Sequence, residues 1–313
     1  MSRAGERGSR AGRTLIGAVP LVLGLAASAP QLSNAARPEP ASATSTKVAH
    51  YGAARRRSTV GGLEHCPLGN PVRDTIARSF GPTRVLVRES YSLEHSAHDK
   101  IPLWVCEHLS RADVTGSLGR PKPEPFAPDP DLAVGERAEL KDYRGSGFDR
   151  GHQAPSADQT RVPRAQVETY YLSNMAPQAP KLNQQIWKAL EDQVRKWVIE
   201  RGELYVVTGP LFYDPKEESP TTANGLVPHA VIGPDEVAVP THFFKVVVAP
   251  PRDGHGWEAQ AFVMENRGYV RPFDLSASLV RLSWLEERTG LTILPQLPRA
   301  DEAIKMADPV LWK

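Results

Sequence analysis

The chain has 313 residues, 40% of them hydrophobic and 24% charged, with a formal net charge of +2. Residues 1–60 carry nine Lys or Arg against two acids, which leaves residues 61–313 at −5. The composition is that of a soluble globular protein of one or two domains, and it excludes a global basic footprint; any grip on nucleic acid needs a local basic patch.

Along the chain, an arginine-bearing start precedes an apolar run at residues 15–29, followed by small residues near Ala29 and Ala35. This is the pattern of a secretory signal peptide. The reading is a targeting segment over 1–35 and export to the periplasm or medium after cleavage, with a mitochondrial presequence as the alternative. The run is shorter than a spanning helix needs and Pro20 interrupts it, so the mature protein is expected to have no stable membrane span. Residues 36–74 are rich in Ala, Pro, Ser and Arg without apolar periodicity, which predicts a disordered spacer. Two cysteines occur, Cys66 and Cys106. They either form one disulfide, as an exported protein permits, or Cys106 is simply buried in its apolar run.

Residues 75–313 read as one domain. The stretches 84–95 and 102–110 predict two strands of a hairpin, and the Pro-rich 117–130 is irregular. Residues 183–201 predict an amphipathic helix, with Ile186, Leu190 and Val194 at helical spacing, Asn183 as its cap and Gly202 as its stop. Residues 203–212, 236–250 and 257–265 predict strands, and 276–291 a second helix. Without regular βαβ alternation the fold class is α+β.

The chemistry concentrates in two places. No GxGxxG, GxxxxGK[ST], HExxH or CxxC pattern is present. Tyr143–Pro155, YRGSGFDRGHQAP, packs three glycines with Arg150 and His152 into what reads as a bent, loop-flanked segment. An arginine suited to phosphate beside a histidine that takes protons near neutrality suggests a general base at a phosphate site; a loop histidine held by backbone groups is the plain alternative. In 170–191, Asn183 and Glu191 lie eight positions apart, about 80° around an α-helix, and can border one site. An amide oxygen suits magnesium, which keeps several waters. Equally, Asn183 could only cap the helix and Glu191 only pair with Arg195.

DRGHQAP, followed by LSN-x-APQ and LNQ-x2-W-x2-LE, resembles the DNA/RNA non-specific endonucleases of the ββα-metal (His-Me finger) class, in their endonuclease G-like branch. The resemblance spans roughly residues 84–290. It implies a mostly antiparallel central sheet flanked by helices, DNA and RNA substrates, 5′-phosphate products, magnesium (with manganese as a substitute) and a homodimer. By the same resemblance His152 is the general base, Asn183 the direct metal ligand, and Glu191 an acid holding the metal through water. Asn174 supports the histidine or the metal waters, and Arg150, Arg120 and Arg195 are site arginines. Asp149 has an orienting role. A relative that grips nucleic acid but cuts weakly, or a phosphodiesterase for small substrates, is the alternative.

Overall fold

In the computed structural model, residues 46–50, 65–73, 81–216 and 226–312 are described. The expected targeting segment, 1–35, lies outside them. A seven-stranded antiparallel sheet organises the domain, in the order Leu279–Val280, Glu258–Glu265, His242–Ala249, Glu203–Leu211, Pro102–Ser110, Tyr91–Ser96, Thr83–Val87. The α+β class with an antiparallel central sheet is thus as expected.

Both faces of this sheet are covered, which explains why its middle strands read as nearly unbroken apolar runs. In His242–Ala249, Phe243 and Val247 point into one core and Phe244, Val246 and Val248 into the other, the alternation a strand requires. The long helix Lys188–Arg201 closes the first core with Leu190, Val194, Trp197 and Val198. The shorter helix Leu282–Thr289 closes the second with Leu282 and Leu285.

Several local expectations are corrected. The stretch 84–95 is two strands, because the chain reverses at Arg88–Ser90, where Arg88 is held by Asp129 and Asp131 and the Glu89 amide donates to Glu168. The stretch 236–250 is broken ahead of His242 at Pro240, which has no N–H for a ladder. Residues 276–291 hold a helix only over Leu282–Thr289; the Asp274 side chain caps a short 3₁₀ turn, and Leu279–Val280 joins the sheet edge. Gly290, in left-handed backbone, ends that helix.

The expected spacer is also shorter than 36–74. Thr46–His50 is a strand paired with Leu226–Ile232. Residues 65–73 pack on the domain: Cys66 is disulfide-bonded to Cys106, Leu68 is buried, and Val72–Arg73 pairs with Leu291–Thr292. Proximity in the fold, invisible in composition, decides this, and it settles the cysteine question in favour of the bridge.

Candidate active site

A cleft of about 890 Å³ opens beside the first core, lined by Arg120, Arg150, His152, Asn183, Glu191 and Arg195 among others. Seven of the eight residues singled out from sequence, Asp149 among them, therefore meet there. The eighth, Asn174, does not.

The DRGH segment reaches the cleft as a strand. Gly145 and Gly147, at φ 69° and 82°, turn the chain where other residues are disfavoured. Asp149–His152 then pairs with Met175–Gln178, so the motif is not the loop expected. Gly151 is needed for that pairing, since a Cβ there would lie 2.1 Å from Gln178 Oε1. Arg150 and His152, two residues apart, share a face of the strand.

His152 rests against the Phe126 ring, centroids 5.5 Å apart, and edge-on to Tyr170 at 5.0 Å. Its Nε2 is enclosed and has no hydrogen-bond partner. Burial pushes the imidazole down to about 3, and the guanidiniums of Arg120 and Arg150 push the same way, so the ring is neutral at physiological pH. Arg150 stacks on the other neighbour, its Cζ 4.1 Å from the Phe126 centroid.

Asn183 is not a helix cap. It sits in a π-helical turn, Leu182–Trp187, that precedes the long helix and buries Leu182, Ile186 and Trp187. The wider turn removes the basis for the 80° estimate, which assumed α geometry throughout, although Asn183 and Glu191 still border one cleft. Asp149 Oδ2 accepts hydrogen bonds from Asn183 Nδ2 at 2.9 Å and Gln184 Nε2 at 2.8 Å. Asp149 thereby anchors the amide by its nitrogen and leaves its oxygen as the unheld end.

Burial pushes the Glu191 carboxyl up to about 7; Lys245 and Arg195 oppose the rise, while Asp158 and Asp192 add to it. Arg195 does not pair with Glu191. Its guanidinium is committed to Asp158 and Asp192, and its side chain is only 15% exposed. Arg120, by contrast, stands at the rim, paired with Glu124.

Asn174 is fully buried behind the site. Its Oδ1 accepts from the Ala154 amide at 2.9 Å, and its Nδ2 donates to the carbonyls of Ala154 and Thr169. It fixes the backbone just after His152 and does not line the cleft with Asn183 and Glu191, which corrects half of its expected role.

Sequence reasoning missed Phe126 and Tyr170, the walls around His152, and Lys245. The last carried a signal: a lone charge inside the run FFKVVV. It is 1% exposed, on the core face, and its Nζ donates to Thr208 Oγ1 at 2.6 Å. Among the described residues, no group of three or more His, Cys, Asp or Glu could hold a metal ion, and no helix is long and apolar enough to cross a membrane.

The family description "DNA/RNA non-specific endonuclease" matches residues 71–300. The chain belongs to that family. Human "Endonuclease G, mitochondrial" is 38% identical over 217 residues, covering 69% of this chain and 71% of the relative. Schizosaccharomyces pombe "Nuclease 1, mitochondrial" is 34% identical over 69% of this chain and 67% of its own length. "Nuclease C1" of Cunninghamella echinulata is 36% identical over 68% and 83%. A crystal structure of the EndoG/EndoGI complex superposes with a TM-score of 0.67 at 32% identity, covering 76% of this chain and 92% of the other. This member of the DNA/RNA non-specific endonucleases is accordingly an enzyme, a hydrolase acting on nucleic acids, of the endonuclease G-like type.

Proposed function

We propose that the chain is a magnesium-dependent endonuclease that cuts DNA and RNA without sequence preference and leaves 5′-phosphate ends. The observation that carries this reading is the meeting, in one cleft, of a neutral imidazole enclosed on its Nε2 side with an amide anchored by its nitrogen. With Nε2 of His152 shut in, Nδ1 is the nitrogen left to take a proton from water as that water attacks phosphorus. Arg150 and Arg120 neutralise charge that grows on the phosphoryl oxygens. Reading backbone rather than base edges accounts for weak sequence preference.

The donor set fits magnesium. A hard cation takes oxygen ligands, and Asn183 Oδ1 would hold it directly, with Glu191 acting through an intervening water. When bound, the ion supplies positive charge that steadies the non-bridging and leaving oxygens; manganese can substitute. Asn174 and Asp149 act by positioning, and Arg195 by holding Asp158.

One observation favours a second reading, a relative that binds nucleic acid and cuts weakly. An imidazole pushed down to about 3 is a weaker base than a free one. Plasmid and RNA digestion with magnesium, with EDTA and with His152→Ala decides between them. Nicking followed by degradation is expected, abolished by the chelator and lowered about 10²–10⁴-fold by the substitution. Cutting by His152→Ala at the wild-type rate would remove His152 from the chemistry, and faster turnover of bis-p-nitrophenyl phosphate than of plasmid would favour a small-substrate phosphodiesterase.

The same reading takes 1–35 as a targeting peptide and the assembly as a homodimer. The names of the human and fission-yeast relatives support the mitochondrial destination over export. The Cys66–Cys106 bridge favours an oxidising compartment in either case.

A further inference from the structure

A second groove, of about 710 Å³, lies between the Lys188–Arg201 helix and the segment that follows Glu258–Glu265. Ala189, Gln193, Lys196, Arg271 and Phe273 line it, and Asp192 lines both this groove and the catalytic cleft. The two spaces therefore lie on either side of Asp192, along one ridge of the helix. Lys188, Asp192 and Lys196, four residues apart, form that ridge and run about 12 Å from the cleft wall into the groove.

The segment whose Arg271–Phe273 end forms the far wall has an unusual composition. Arg267-Gly-Tyr-Val-Arg-Pro-Phe273 repeats an arginine followed two residues later by an aromatic. Arg267 Cζ lies 4.5 Å from the Tyr269 centroid and Arg271 Cζ 5.0 Å from that of Phe273. The intervening Val270 is 81% exposed, while Tyr269 and Phe273 are half-buried against the first core, so packing accounts for the aromatics but not for the exposed Arg271 between them. Three nearby acids are already engaged, Asp192 by Lys188 and Arg195, Glu265 by Arg267, and Asp274 by capping Ser276, while Glu200, one helical turn beyond Lys196, is exposed and is not paired with it. Arg271 and Lys196 are exposed and have no acid partner among the described residues. Two exposed cations without an ion pair, one of them over an aromatic ring, in a groove that shares a wall with the candidate catalytic cleft, are the elements of a track for single-stranded nucleic acid.

We propose that this groove carries the polynucleotide strand onward from the cleft, with Arg271 and Lys196 contacting phosphates a few nucleotides from the scissile bond. The proposal rests on the nuclease reading and supplies the local basic patch that the acidic balance of the domain demands. It also makes the enzyme sensitive to strand length, because a substrate too short to leave the cleft forgoes both contacts.

The test is Lys196→Ala combined with Arg271→Ala, assayed on a long single-stranded oligonucleotide and on bis-p-nitrophenyl phosphate. Loss of two phosphate contacts should reduce kcat/KM on the long strand about tenfold at low salt and flatten its log–log salt slope by about 1.4. Hydrolysis of the small ester should not change. Fluorescence anisotropy with the same oligonucleotide reads the groove without turnover, and the Kd should rise by a similar factor. Unchanged oligonucleotide binding and cleavage would overturn the proposal, as would equal losses on both substrates. Wild-type protein that binds the strand with these dependences but never cuts it would sink the nuclease reading and leave the groove standing.

Discussion

Replacing Asp149 by Ala probes how Asn183, the proposed metal ligand, is held. The carboxylate accepts two hydrogen bonds, from Asn183 at 2.9 Å and Gln184 at 2.8 Å, and bonds to a charged acceptor contribute about 1.5–3 kcal/mol each. Only the bond to Asn183 orients the proposed ligand, so freeing that amide to rotate should cost metal binding about the same 1.5–3 kcal/mol. At 1.36 kcal/mol per decade this is roughly 10–100-fold, the range expected when a group behind a metal ligand is lost. Titrating magnesium into a plasmid-nicking assay should show the half-saturating concentration rising by that factor. The rate at saturating metal should stay within a few-fold of wild type, because His152 and its walls are untouched. Asp149→Asn, which keeps one acceptor oxygen, should fall between the two. An unchanged metal midpoint in a folded Asp149→Ala protein would refute the reasoning.

Two further outcomes are expected. Asn174→Ala leaves the Ala154 amide and the carbonyls of Ala154 and Thr169 without their partner, which should destabilise the fold by about 3–5 kcal/mol and lower Tm by roughly 10 °C; a loss under about 2 °C by calorimetry would contradict it. Burial also pushes His95 down to about 4, and like His152 it is neutral in the fold. The unfolded chain takes up those protons near 6.5, so this stability is fully present above pH 6.5 and is lost as pH falls towards 4. Denaturant midpoints should decline over that window, and His95→Gln should decline less; an identical slope would show that His95 contributes nothing.

Legibility in the sequence followed the range of the interaction. The DRGH and LNQ-x2-W-x2-LE motifs identified the family and five of the cleft residues, Asp149, Arg150, His152, Asn183 and Glu191, because the family's motifs confine both residue type and spacing. The long helix and its Gly202 stop were legible through apolar periodicity and the need for left-handed backbone at the end. The π-turn at Leu182–Trp187 was not, since its cause is the burial of Leu182, Ile186 and Trp187 against a core assembled from other segments. The break at Arg88–Ser90 was hidden for a similar reason: Asp129, Asp131 and Glu168 lie about 40 to 80 residues away.

By itself the sequence determined the α+β class, the family and the residues able to do the chemistry, because these depend on local patterning and on which functional groups are present. The tertiary structure alone decided that Asn183 is anchored by Asp149, that Asn174 works behind the site, that Cys66 meets Cys106, and that Lys196 and Arg271 face one groove. Each of these is a contact between distant segments, and such contacts exist only once both faces of the sheet have been covered.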